Sequence, residues 1–222
     1  MSDRSIARPR DAASLILLRE RKGSLEVLIG RRGQAARFMP GRYVFPGGRV
    51  IAADARPWMG ERSRDKSGEE RRFAALKRAA LRETFEETGL VVGRPARAAE
   101  IARQDGASPI EAAYRAQRLL PALGMLRLVG RAITPTQSPI RFHARFFVAD
   151  GSDAAGTPGA GEELDDVRWH GVDVEPPGDM QNVTRFMLRC AIEAWRGRAP
   201  ATPPLYWHRG SLSLVRHGSP AR

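Results

Sequence analysis

The chain reads as an α/β (α+β) domain in which a mixed β-sheet carries helices on its faces. Three observations predict this class. Short apolar runs with strand spacing are interleaved with segments of helical spacing. They lack the regular βα alternation that a doubly wound parallel sheet needs. With 222 residues and 42% apolar content, the chain can bury one sizeable core. The expected organisation is a single domain over residues 11–196, with an insertion at 49–68 and terminal extensions at 1–10 and 197–222.

Ala12 to Arg19 is a short buried strand, and Leu25 to Gly30 alternates as its hairpin partner, with Lys22-Gly23-Ser24 in the turn. Arg31 to Met39 is polar and irregular. It leads into Pro40-Gly41-Arg42-Tyr43-Val44-Phe45-Pro46-Gly47-Gly48, where two glycines after a proline let another group approach the backbone closely. Residues 49–68 form a polar connection carrying Pro57, Trp58 and Met59. Ser67-Gly68-Glu69-Glu70 has the form of a capping box. The helix it opens runs to about Thr88, and Gly89 suits a left-handed C-terminal cap. Ala74, Leu81 and Phe85 share one stripe of that helix, while Glu83, Glu86 and Glu87 share another.

Ile110 to Leu120, between Pro109 and Pro121, reads as a second helix. Leu126 to Ile133 and Arg141 to Ala149 read as long strands, and Asp150 to Gly161 as a Gly-, Ala- and Asp-rich loop. Leu164 to His170 is a short strand, and Asp179 to Trp195 has helical spacing. From Arg196 on, Pro, Gly and Arg dominate and no element is assigned. No internal repeat is present.

Composition narrows the function classes. No apolar run approaches the roughly 20 residues of a membrane span. The first eleven residues carry no apolar signal core, so a cytoplasmic location is expected. Cys190 is the only cysteine, which excludes an intrachain disulfide and a cysteine-rich zinc site. Its neighbours read as helix core. The net charge of +12 suits an anionic partner, either nucleic acid or a phosphorylated small molecule. The arginines are scattered rather than gathered in one block, and no aromatic–basic stacking pattern accompanies them, so nucleic acid is the less expected partner. His143, His170, His208 and His217 are dispersed and read as structural or exposed.

The most informative stretch is Arg82-Glu83-Thr84-Phe85-Glu86-Glu87-Thr88-Gly89-Leu90. It gathers three carboxylates at the C-terminal end of a helix, where the macrodipole disfavours anions. Two like charges about 5.5 Å apart repel by roughly 3 kcal/mol at an effective dielectric near 20. Carboxylates at i, i+3 and i+4 supply hard oxygen ligands for Mg2+ or Mn2+. A solvated acidic face paired with Arg78 and Arg82 has the same spacing, so spacing alone leaves both readings open.

This stretch resembles the second half of the Nudix box, R-E-U-x-E-E-x-G-U, with Thr84 at the usually aliphatic U position. Phe45-Pro46-Gly47-Gly48 resembles the tetrapeptide that often opens the same box. The order of elements from residue 11 to 196 is also similar to the Nudix fold, which implies a Nudix-like α/β/α sandwich. The resemblance implies metal-dependent hydrolysis of a nucleoside diphosphate linked to a group X. Glu83, Glu86 and Glu87 would hold Mg2+ or Mn2+, with the Gly48 carbonyl as a further ligand, and Arg82 would orient a glutamate. Gly47, Gly48 and Arg42 would contact the substrate, and Arg31, Arg32 and Arg37 are further candidates for gripping phosphate. Glu163, beside Glu162, is the loop candidate for general base.

The resemblance has two departures. The family places its Arg roughly 14 positions after the box glycine; here Gly48 to Arg82 is 34 positions, so about 20 residues are inserted. The family's Glu about eight positions before the Arg is Ala74 here, which reads as a lost acid on a longer helix. An enlarged box resembles the branch related to peroxisomal coenzyme A diphosphatases, which implies coenzyme A or a dinucleotide as substrate. The alternatives are a catalytically silent Nudix-fold nucleotide-binding module and an RNA-associated decapping-type protein. The insertion is a candidate lid or homodimer contact through Trp58 and Met59.

Overall fold

The computed structural model describes residues 7–58, 61, 67–101, 108–176, 178–210 and 212–217. Its elements in order are β1 (Arg10–Arg21), β2 (Ser24–Arg32), β3 (Tyr43–Val44), β4 (Gly47–Arg49), α1 (Gly68–Thr88), β5 (Val91–Pro95) and α2 (Ala98–Ile101). They continue with α3 (Pro109–Ala116), β6 (Leu119–Pro121), β7 (Arg127–Ile133), β8 (Phe142–Asp150), β9 (Ala154–Ala155), β10 (Leu164–Gly171), α4 (Asn182–Trp195), β11 (Leu205–Arg209) and β12 (Leu212–Arg216).

β1 organises the main sheet, whose order is β10-β2-β1-β8-β7-β11-β12, with β3 on β2 and β4 on β1. β1 and β8 run parallel, as do β7 and β11, while the other pairs are antiparallel. The sheet is therefore mixed. Being central, β1 is covered on both faces, which explains its near-continuous apolar run. Ala13, Leu15 and Leu17 face Leu76, Ala79, Ala80 and Leu81 of α1. Ile16 and Leu18 belong to the opposite core with Met187, Ala191 and Ala194 of α4. The layers are α/β/α.

α1 follows its local signals. Ser67 Oγ accepts from the Glu70 amide at 3.2 Å, and Glu70 Oε2 accepts from the Ser67 amide at 2.7 Å. Gly89 takes φ 73° and donates its N–H to Phe85 O at 2.8 Å. Ala74 is buried. At the U-like position, buried Thr84 satisfies its hydroxyl on Ala80 O at 2.7 Å.

Three expectations are corrected. The second helix stops at Ala116, because the chain reverses at Arg118 with φ 55°. Leu119–Pro121 then pairs with β5, and Leu120 is buried there. β5 itself was not assigned from sequence, since three apolar residues beside an Arg-Pro give no periodicity. The terminal segment after residue 196 is also structured: β11 lies parallel to β7 and forms a hairpin with β12, so the sheet continues beyond residue 196.

Candidate active site

The pairing of β4 with β1 brings the glycine loop to the acidic end of α1. Ala13 pairs with Gly48 and Ser14 with Gly47, while Leu15 donates its N–H to Pro46 O at 3.0 Å. The Gly47 N–H thereby points at α1 and donates to Glu87 Oε2 at 2.8 Å. A Cβ on Gly48 would lie 2.4 Å from Glu83 Oε1, so the glycine lets the Glu83 carboxylate sit directly against the loop. The loop thus brings Gly47 against Glu87 and Gly48 against Glu83.

Arg82 lies under this contact. Its Nη1 donates to Glu83 Oε1 at 2.9 Å and to Glu86 Oε2 at 2.7 Å, and its Nη2 to Arg49 O at 3.1 Å. Asp54, fully buried in a 3-10 turn over Ala52–Ala55, takes the other edge of the guanidinium at 3.0 and 3.1 Å. Burial alone would lower the Arg82 pKa; the bonds to Asp54 and the charges of Glu83 and Glu86 hold it above its ordinary value.

The carboxylates are in unequal settings. Glu86 is exposed, whereas Glu83 and Glu87 are buried. Burial pushes the Glu87 carboxyl up to about 8; the Gly47 N–H opposes this and the Glu83 charge adds to it. Burial likewise raises Glu83, against the pull of Arg82. Glu87 Oε1 is buried with no hydrogen-bond partner among the described residues. That is a costly state for a carboxylate oxygen.

The β9–β10 loop adds Glu163. Gly159 caps α1 by donating to Thr88 O at 3.1 Å, and Gly161 sits against the Glu86 and Glu87 carbonyls, where even a Cβ would be at 3.1 Å. Glu163 Oε2 accepts from Arg32 Nη2 at 3.1 Å, and its side chain is 62% exposed. Glu163 and Arg32 both line a cavity of about 650 Å3 that also contains Gly47, Gly48 and Glu83. Phe38, Phe142, Phe146 and Tyr206 are also among its walls. The volume suits a small-molecule ligand.

Of the four arginines considered for phosphate, only Arg32 lines this cavity, and its buried Nε lacks a partner among the described residues. Arg42 is paired instead with Asp179, and Arg31 with Asp165 at 2.7 Å. Arg42 is not among the residues that line the cavity. Trp58 is equally unavailable as a lid or dimer contact: it is 9% exposed and packs on Tyr114 with ring centroids 6.2 Å apart. Met59 lies outside the described residues.

Among the described residues, no group of three or more His, Cys, Asp or Glu side chains is gathered closely enough to hold an ion as it stands. The reason is visible: Arg82 ties Glu83 and Glu86, and Gly47 ties one Glu87 oxygen. The donor chemistry nevertheless fits a hard divalent cation, being all oxygen, with buried like charges and an unpartnered Glu87 oxygen.

No protein-family model matches the chain. It is 28% identical over 213 residues to the Caenorhabditis elegans protein named nudix hydrolase 7, covering 93% of this chain and 61% of that protein. The crystal structure of a NUDIX hydrolase from Alicyclobacillus acidocaldarius has 29% sequence identity to it and a TM-score of 0.53, covering 93% of this chain and 89% of that one. In sequence and in fold the chain is similar to Nudix hydrolases.

The Asp54–Arg82 pair offers a second way to count the box acid, besides the position of Ala74. The Nudix box acid can be counted forward from its glycine instead of backward from its arginine. Asp54, six positions after Gly48, then occupies that place. The inserted residues fall after Asp54, and the acid–arginine pair survives across 28 positions. The signal was present in the forward spacing and masked by the insertion. No helix among the described residues is long and apolar enough to cross a membrane.

Proposed function

We propose that this chain is a Nudix-type hydrolase that cleaves the P–O–P bridge of a nucleoside diphosphate linked to a second group X, with X completing coenzyme A or a dinucleotide. The observation that carries this reading is the buried Glu87 carboxylate, with one oxygen on the Gly47 N–H and the other unpartnered among the described residues, near Glu83 of the cavity wall. Glu83, Glu86 and Glu87, with the Gly48 carbonyl, would hold Mg2+ or Mn2+. When bound, that cation supplies neutralisation of phosphate oxygens and acidifies water.

The chain's own groups do the rest. Arg82, fixed by Asp54, keeps Glu83 and Glu86 aligned. Arg32, in the cavity wall and with Nε unpartnered among the described residues, supplies a positive charge for a phosphate oxygen. Glu163, on the exposed loop, takes a proton from the attacking water as its oxygen bonds to one phosphorus. The bridging oxygen leaves with the other phosphate. The aromatic side chains in the cavity wall receive the base or X. The enlarged box and the aromatic residues of the cavity wall favour the coenzyme A alternative among substrates, in a cytoplasmic enzyme.

A panel of ADP-ribose, NADH, coenzyme A and acyl-CoA, assayed with Mg2+ and Mn2+ and with products identified by mass, tests the reading. Ion-dependent cleavage at the diphosphate is expected for at least one compound. Saturable binding of these compounds without cleavage would replace the enzyme by a binding module.

A further inference from the structure

A second ion pair lies behind the Asp54–Arg82 contact. Arg78, one helical turn before Arg82, is buried at 3% exposure. It makes a two-pronged contact with Glu61: Nε to Oε1 at 2.7 Å and Nη2 to Oε2 at 2.6 Å. Its remaining Nη1 donates to the backbone carbonyl of Asp54 at 2.8 Å. Glu61 Oε1 also accepts the Trp58 N–H at 3.2 Å, and the Trp58 ring is embedded in the core under α1. One connected chain therefore runs from Glu61 through Arg78, Asp54 and Arg82 to Glu83 and Glu86. Glu61 belongs to the inserted segment.

Burying two arginines and two carboxylates carries a large desolvation cost that well-packed apolar side chains would avoid. Helix α1 and the sheet already have an apolar interface, so adhesion alone does not require this network. Its distinctive product is geometric. The guanidinium fork of Arg78 fixes Asp54 through its main chain, and Asp54 fixes the plane of the next guanidinium. A side chain that orients a ligand carboxylate needs such support to hold its position.

We infer that the Glu61–Arg78 pair is a positioning device, through which the insertion locks Asp54 and so sets the orientation of Arg82, Glu83 and Glu86. This rests on the hydrolase reading for its consequence in turnover, but not for the network itself. The insertion is then a working part of the site and acts from behind the helix rather than as a cover over the cavity.

The test uses the full chain and two variants, Glu61→Gln and Arg78→Lys; the second keeps the buried positive charge while removing the fork. Thermal midpoints first establish that both are folded at the assay temperature. NMR of the arginine Nε–H groups then reads solvent exchange at Arg82, and electron paramagnetic resonance reads Mn2+ affinity. The inference expects faster Arg82 Nε–H exchange in both variants. It also expects a roughly tenfold loss of Mn2+ affinity and of kcat, with KM little changed. Arg82 exchange and Mn2+ affinity equal to wild type in both variants would overturn it. Release of Arg82 by either variant, in a wild-type chain that cleaves no diphosphate, would keep the positioning device and remove only the catalytic reading.

Discussion

Asp54 and Arg82, 28 positions apart, share a buried two-pronged ion pair, with Nε to Oδ1 at 3.0 Å and Nη2 to Oδ2 at 3.1 Å. Asp54 supplies no atom to the cavity wall; it governs the site through the guanidinium. Removing it leaves a buried cation short of its principal partner. Asp54→Ala is expected to lower unfolding free energy by about 3 kcal/mol. Arg82→Lys keeps the charge but cannot reach Asp54, Glu83 and Glu86 at once. It should cost activity roughly tenfold or more with a smaller change in stability. Urea denaturation and steady-state kinetics on both variants check this. A stable Asp54→Ala protein with full turnover would contradict it.

The contact between Gly48 and Glu83 is steric. A methyl at residue 48 would meet Glu83 Oε1 at 2.4 Å, and the obstructing atom is the end of a side chain that can rotate away. Gly48→Ala should therefore fold, move the Glu83 carboxylate off the loop, and lose activity by about 100-fold. Gly47→Ala differs. Its Cβ would meet the backbone carbonyl of Ala13 at 2.6 Å, so the β1–β4 pairing itself must shift. Thermal midpoints should fall in Gly47→Ala and hold in Gly48→Ala.

The ion-free protein should show the cost of burying Glu87. Burial raises its carboxyl to about 8, above the ordinary 4.5. Between these values the folded chain holds the proton and the unfolded chain does not, so stability is lost as pH rises through that window. Glu87→Gln carries no such charge. With chelator present, the variant should be more stable than wild type at pH 8, by on the order of 1 kcal/mol, and the difference should vanish near pH 4. Saturating Mg2+ should narrow the gap at pH 8 by stabilising only the wild type. An unchanged difference across this pH range would show that the carboxylate is not held in so dry a setting.

Local signals made α1 and the glycine loop legible from sequence. A capping box and a left-handed glycine act over three or four residues, and the three glutamates lie within one turn. The β1–β2 hairpin was legible because its turn and alternation are contiguous. Asp54 was not legible, since its partner lies across an insertion and the backward count from Arg82 lands on Ala74. Arg32 and Arg42 are indistinguishable as residues. Which of them faces the cavity depends on the pairing of β2 with β10, because that pairing brings Arg32 to Leu164, next to Glu163. The β11–β12 hairpin was invisible because its place is set by parallel pairing with β7, a relation spanning more than seventy residues.

His143 provides a pH dependence of the opposite sign, away from the acidic face of α1. In β8 it stands beside Asp11 of β1 and Ile133 of β7, and its Nε2 is buried with no partner among the described residues. The charged groups around it are Arg145 on its own strand, Asp11 on β1, Arg131 on β7 and Arg72 on α1. Burial and then Arg145 push its pKa down to about 4, while the Asp11 charge, itself shared between Arg72 and Arg145, pulls the other way. Between about 4 and 6.5 the unfolded chain binds a proton on this ring and the folded chain does not, so stability falls as pH drops through that window. His143→Gln removes the titration while keeping a polar side chain. Wild type should lose on the order of 1 kcal/mol relative to this variant between pH 7 and pH 4.5, the half-exposed ring being partly screened by solvent. Urea midpoints for both proteins across that range measure the difference. Parallel pH profiles would mean that the imidazole accepts its proton in the folded state as readily as in the unfolded one.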